Sequence, residues 1–241
     1  MKPLALLFAL LTCIAANAAD ARIKVLLVTG GHGYATNEFL NVFQTNTAID
    51  FTHAVQAKTS STAYDRDDLL SYDCIVLYDM MQNITDAQKT RLLAVLDRGI
   101  GLVVTHHALV SYQAWPEFEK IVGGTYPESQ NKKGGVTPEL GYEHDVVMPI
   151  VIVAKEHPIT AGLRDFTITD EIYWGFRVSP DVMTLVTTTQ PKSGKPIAWA
   201  HTNRNSRVVY LQLGHGPTAY NNENYRKLLA RSIRWAAEGK R

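Results

Sequence analysis

Cysteine is scarce in this chain of 241 residues, with Cys13 and Cys74 the only two. Cys13 lies in an amino-terminal apolar run that reads as a removable leader, so the mature chain keeps Cys74 alone. An intramolecular disulfide is then excluded even in an oxidising compartment, and stability has to come from the core. An excess of charge is missing too: the formal net charge is +1 and no basic cluster occurs. That argues against nucleic acid and anionic membrane as partners. Beyond the amino terminus no uncharged apolar run approaches the roughly 20 residues needed to cross a bilayer, so stable membrane insertion is not expected. A Gly-x-Gly-x-x-Gly fingerprint and a Walker lysine are both lacking, which argues against a nucleotide cofactor. No histidine pair has the His-x-x-x-His spacing of a helical metal site, and there is no internal repeat.

What is present begins with Lys2, the apolar run Leu4–Ile14 and Ala16-Asn17-Ala18. These are the charged, apolar and cleavage regions of a signal peptide over residues 1–18, and Thr12 directly before Cys13 argues against a lipoprotein site. The remaining residues, 19–241, fit one domain, exported to the periplasm or secreted, and are long enough to bury a core without staples.

The stretch Leu102–Leu109, Leu-Val-Val-Thr-His-His-Ala-Leu, organises the rest. Its apolar and β-branched residues follow Gly99 and Gly101 and read as a strand covered on both faces, as in a parallel sheet. His106 and His107 stand where that strand ends, and ligand crevices in open parallel sheets lie outside the carboxyl ends of strands. Two further strands repeat the arrangement. Ile23–Thr29 ends in Gly30-Gly31-His32-Gly33, with Thr36-Asn37 offering a helix cap, and Val208–Leu213 ends in Gly214-His215-Gly216.

Between them, Ile49–Val55 and Cys74–Tyr78 read as strands, Cys74 as a buried small hydrophobe, and Thr85-Asp86-Ala87-Gln88 as a capping box. Trp115-Pro116-Glu117-Phe118 suggests a short helix, and Gly123–Glu143 a long polar loop of the kind used as a lid. The strand expected over Val146–Val153 contains Pro149, which places it toward a sheet edge. Met183–Thr188 and Ile197–His201 suggest antiparallel strands, and a helix over about Asn222–Ala237 closes the chain.

In a doubly wound sheet His32, His106, His107 and His215 converge on one edge, where imidazoles bind a metal or move protons near neutral pH. One divalent ion, zinc or similar, is a candidate cofactor, with His32, His106 and His215 as ligands and Asp170 or Glu171 as a possible carboxylate. Catalytic candidates are His32, His106, His107, Glu171 and His215. Tyr34, Trp115, Tyr142, His144 and Tyr173 are candidates for binding substrate. His53, His157 and His201 read as structural or solvent-facing.

Val-Val-Thr-His-His-Ala-Leu at 103–109, His-Pro-Ile-Thr-Ala-Gly-Leu at 157–163, Asp-Glu-Ile-Tyr at 170–173, Arg-Val-Val-Tyr-Leu-Gln-Leu-Gly-His at 207–215 and Ser-Ile-Arg-Trp-Ala at 232–236 resemble the trehalose-utilisation, or ThuA-like, family. The resemblance implies an α/β flavodoxin-like three-layer sandwich with a mostly parallel sheet, related to class I glutamine amidotransferases. By position His106 stands where those enzymes keep their nucleophilic Cys and His215 where they keep the catalytic His. The thiol nucleophile is therefore lacking, and amide hydrolysis by a Cys–His pair is not expected. The family's association with disaccharide breakdown and with 3-keto sugars makes a carbohydrate the expected partner, cleaved by a hydrolase or lyase. A periplasmic sugar-binding accessory protein without catalysis is the alternative.

Overall fold

A computed structural model of the protein describes residues 22–57, 59–130 and 135–240. The leader expected at 1–18 lies outside the described residues. The strands are β1 (Ile23–Gly30), β2 (Ile49–Gln56), β3 (Cys74–Asp79), β4 (Gly101–Thr105), β5 (Gly124–Thr125), β6 (Gly141–Ile152), β7 (Phe166–Trp174), β8 (Arg177–Val178), β9 (Met183–Thr188), β10 (Ala198–Asn203) and β11 (Ser206–Leu211). The helices are α1 (Thr36–Gln44), α2 (Asp86–Asp97), α3 (Pro116–Val122), α4 (Pro217–Tyr220) and α5 (Glu223–Ala237). Nine strands form one sheet in the order β2-β1-β3-β4-β11-β10-β9-β6-β7, and β5 pairs with β8 separately. From β2 to β11 every pairing is parallel. From β11 to β7 every pairing is antiparallel.

The parallel half is apolar because both of its faces are covered, and β3 and β4 are buried along their whole length. Phe39, Phe43, Leu228 and Ile233 from α1 and α5 pack on one face. Leu92, Leu96, Phe118 and Ile121 from α2 and α3 pack on the other. The result is the expected three-layer sandwich. At Thr85 the capping box forms in full, its side chain taking Gln88 N while Gln88 returns to the Thr85 N–H. Thr36, in contrast, is the first residue of α1 and not its cap; its hydroxyl donates to the Tyr34 carbonyl.

Pro149 lies in β6, one strand in from the edge, and not at the edge itself. A strand residue directs its N and C=O to the same side, and the Pro149 carbonyl accepts from Thr189 N at 3.3 Å and Thr188 Oγ1 at 2.7 Å. Its missing N–H thus falls just where the ladder to β9 stops, at Ile150. The edge is β7, read from sequence only as a carboxylate pair. The polar stretch expected as one long loop carries β5, a 3-10 turn at Glu128–Gln130 and the first residues of β6.

Asp79, at the end of β3, is fully buried with Gln56 Nε2 on Oδ2 at 2.9 Å and no partner on Oδ1. Burial pushes its pKa up to about 7, against the hydrogen bond from Gln56. The native state therefore holds a proton that the unfolded chain, with an ordinary Asp near 3.9, releases. This contribution is complete below the unfolded value and is lost as pH rises through 7, at up to about 1.4 kcal/mol per pH unit in between. Urea unfolding of the Asp79→Asn variant, set against the unmodified chain at pH 5 and 6.5, should show a variant that gains on the original as pH rises. An unchanged difference would mean that Asp79 ionises equally in both states.

Candidate active site

Four elements bring side chains to one end of the sheet. β4 delivers His106 at its tip, in a left-handed elbow with φ 52°. β11 leads through Gln212 to His215, β7 supplies Glu171 and Tyr173, and β6 supplies His144. Glu171 is the hub. Its Oε2 lies 2.9 Å from His106 Nε2 and 3.2 Å from His215 Nδ1, and its Oε1 lies 3.1 Å from His144 Nδ1. His106 Nε2 is also 3.3 Å from His215 Nδ1 and 2.9 Å from the Tyr173 hydroxyl.

Asp170 shapes this hub from beside it. Its Oδ1 accepts the N–H groups of Glu171 and His215, both at 2.9 Å, and its Oδ2 accepts Gly214 N at 2.7 Å. The buried carboxylate thereby ties β7 to the turn after β11. Burial raises its pKa, and the charge of His106 with the three N–H donors draws it partly back. Its oxygens are committed to backbone, so the choice between Asp170 and Glu171 as the carboxylate of the site falls to Glu171.

Burial acts to raise the pKa of Glu171, but hydrogen bonds from His106 and His215, the charge of His106 and the Tyr173 hydroxyl outweigh it and hold the group ionised. His215 moves the other way. Its hydrogen bond to Glu171 raises it above the ordinary imidazole value, against the lowering effect of burial. His107 is buried between His32, tilted at 4.6 Å, and Tyr78, edge-on at 4.4 Å, with both ring nitrogens unpartnered. Burial, with His106 and His32 adding to it, keeps that ring neutral.

The structure brings together His106, His215, Glu171, His144 and Tyr173, with the Tyr142 ring edge-on to His144 at 5.3 Å. His32 joins only through its contact with His107; its Nδ1 engages the Gly33 carbonyl, and the ligand-spaced group among the described residues is His106, Glu171 and His215. Glu171 therefore takes the place given to His32 among the metal candidates. Tyr34 donates to Thr29 Oγ1 and, with His215, Asp145 and Pro217, lines a cavity of about 300 Å³. Trp115 is elsewhere, stacked on Phe118 beside a separate cavity with Thr125 and Arg177. His53, His157 and His201 all lie outside the cluster, engaged by Thr29, the Ile159 N–H and the Ile121 carbonyl. Gln212, not singled out in the sequence, matters through its carbonyl, which accepts His106 Nδ1–H at 2.7 Å. Backbone carbonyls leave no trace in residue type.

A parallel-to-antiparallel sheet sandwiched by helices, with an imidazole on the strand-end elbow, defines an α/β protein of the glutamine amidotransferase-like fold that bears no thiol at that elbow. A glutamine amidotransferase from Thermotoga maritima shares that fold at 11% identity and TM-score 0.50, over 91% of this chain and 100% of the other. The chain belongs to the ThuA family, trehalose utilisation, whose model it matches over residues 24–236. Two solved structures described as ThuA-like resemble it more closely. One, from Parabacteroides merdae, is 22% identical with TM-score 0.76, covering 90% of this chain and 91% of the other. The second, from Bacteroides uniformis, is 23% identical with TM-score 0.65, covering 92% and 94%. No curated protein matches the sequence significantly.

Proposed function

We propose that the protein is an exported enzyme of disaccharide breakdown that cleaves a 3-keto glycoside by elimination. The observation that carries this reading is a single ionised carboxylate, Glu171, holding two partly exposed imidazoles whose rings lie 4.5 Å apart. A carboxylate only accepts, so each of His144 and His215 turns a protonated Nδ1 to Glu171 and leaves its Nε2 for substrate. Glu171 itself, held so far toward its ionised form, is a weak proton acceptor. The imidazoles are the proton carriers.

A carbonyl at C3 of a sugar makes the C2 hydrogen acidic. In this reading His144 takes that proton at Nε2, the C2 electrons form a C1=C2 double bond, and the C1–O bond breaks. His215, whose pKa the hydrogen bond to Glu171 raises, gives its Nε2 proton to the departing oxygen. One imidazole gains a proton and the other loses one, and the shared carboxylate lets the pair reset. No pair of glycosidase carboxylates is required. The expected leader at 1–18 puts the reaction outside the cytoplasm, on substrate made by an oxidation at C3.

A sugar-binding accessory role has its own support, since Tyr142, Trp174 and Lys192 line an open groove of about 910 Å³ next to His144. Incubating the processed chain, taken from the exported fraction of its host, with 3-keto-trehalose and with trehalose separates the two. Cleavage of the keto sugar alone is expected, falling at least about 100-fold in both His144→Ala and His215→Ala. Binding of either sugar without cleavage would favour the accessory role, and an untouched keto sugar would overturn the enzymatic one.

A further inference from the structure

We propose that His106 Nε2, His215 Nδ1 and Glu171 Oε2 form a seat for one divalent transition-metal ion of the zinc class. The first ground is proton placement. The Gln212 carbonyl 2.7 Å from His106 Nδ1 can only accept, so Nδ1 carries a hydrogen and Nε2 is the ring atom turned into the cluster. There it stands 2.9 Å from a carboxylate oxygen and 3.3 Å from His215 Nδ1, so three ligand-type atoms gather at one point.

The second ground is geometry. With bonds of about 2.0–2.1 Å, a tetrahedral zinc ion sets its ligand atoms about 3.4 Å apart. The three atoms stand 2.9, 3.2 and 3.3 Å from one another, so opening by a few tenths of an ångström admits the ion. Two imidazoles and one carboxylate, with a fourth position left for water or substrate, make a catalytic rather than a structural ligand set. The third ground is the support around the ligands. A backbone carbonyl fixes the far nitrogen of His106, His144 holds the second oxygen of Glu171 at 3.1 Å, and Asp170 anchors the backbone of both Glu171 and His215. Such outer contacts fix tautomer and orientation at metal sites.

Bound through Nδ1, His215 would exchange its hydrogen bond to Glu171 for the ion and still turn Nε2–H outward. The ion would hold the oxygen on which negative charge develops, which a ring of donors without a cation does less well.

The test is metal uptake, read without any sugar, so that it stands or falls apart from the keto-glycoside reading. The folded chain, produced without a His tag and stripped with chelator, is titrated with Zn²⁺ and with Co²⁺ while the visible spectrum is recorded. One ion per chain is expected, with the intense cobalt bands of a four-coordinate nitrogen and oxygen site. Loss of outer-shell partners alone weakens metal sites by about 10–100-fold, so His106→Ala and Glu171→Gln should cost at least the upper figure, while His32→Ala should keep the ion. His215→Ala, at a residue about one-third exposed, serves as the ligand variant if His106→Ala does not fold. A folded chain that takes up no ion, or one whose affinity ignores both ligand substitutions, overturns the proposal.

Discussion

Asp170→Asn should destabilise the protein by about 3 kcal/mol and, in the proposed elimination, slow turnover by about 100-fold, although both Asp170 oxygens are committed to backbone. The substitution is nearly isosteric, so packing is not the cause. In the native protein both oxygens accept backbone N–H groups, from Glu171 and His215 on one side and Gly214 on the other. An amide has one oxygen, and its NH₂ group then meets an N–H that needs an acceptor. A hydrogen bond to a charged group contributes about 1.5–3 kcal/mol, and a buried donor left unpaired adds its own desolvation cost. Whichever way the amide turns, either Gly214 N or the Glu171 and His215 pair is left facing a donor. The position of Glu171 against His215 is then free to drift, and a shift of one ångström at a catalytic group can cost about 100-fold in rate. Urea unfolding and turnover measured on the same preparation check both parts. A loss below about 0.5 kcal/mol would mean that the N–H groups find other acceptors.

Gly101→Ala should cost roughly 3 kcal/mol or more, and for a different reason. A Cβ at this position would sit 2.5 Å from the backbone carbon of Ala236, 2.6 Å from its oxygen and 2.7 Å from its Cβ. Most small-to-large clashes relax by turning a side chain. Here the obstacle is the backbone of α5, a fifteen-residue helix with Leu228, Leu229 and Ile233 buried in the core, so the helix must move or β4 must. Either movement reaches His106, five residues along the same strand. Thermal unfolding should show the lower Tm, and cobalt spectroscopy of the folded fraction should report the disturbed ligand set. A variant with unchanged Tm would place α5 further from β4 than the structure does.

The same glycine illustrates what can be read from residue type. Gly101 before a β-branched run marks a strand with something close behind it, and the histidines at strand ends mark an edge where ligands bind. Three of those strand ends do meet, and the capping box at Thr85 and the antiparallel pair β9 and β10 were legible in the same way, whereas the amidotransferase-like architecture came from the family resemblance. Strand β7 was not. Asp170-Glu171 in its middle looks like a solvated turn, because two buried carboxylates in a strand are costly without partners. Their partners are three N–H groups and three imidazoles drawn from positions 106 to 215, which local pattern cannot supply. His32 failed as a ligand candidate for the converse reason, since a strand-end position fixes the neighbourhood of a side chain and not its direction. Trp115 is aromatic and near the organising strand in sequence, yet it packs on Phe118 beside a separate cavity with Thr125 and Arg177.

The place of β11 has a consequence for how the chain is made. It lies at the centre of the sheet, between β4 and β10, although it comes last of the eleven strands. A nascent chain that has already displayed β1 to β4 to its surroundings still exposes the bare side of β4, and β9 and β10 have nothing to dock against. Pairing over such sequence distances makes folding slow and leaves unpaired strand edges open to aggregation while synthesis proceeds. Truncation just before Ser206 would thus split the sheet down its middle rather than trim its rim. His215, which closes the cluster around Glu171, arrives just after that same strand, so a half-made chain lacks the last member of the cluster.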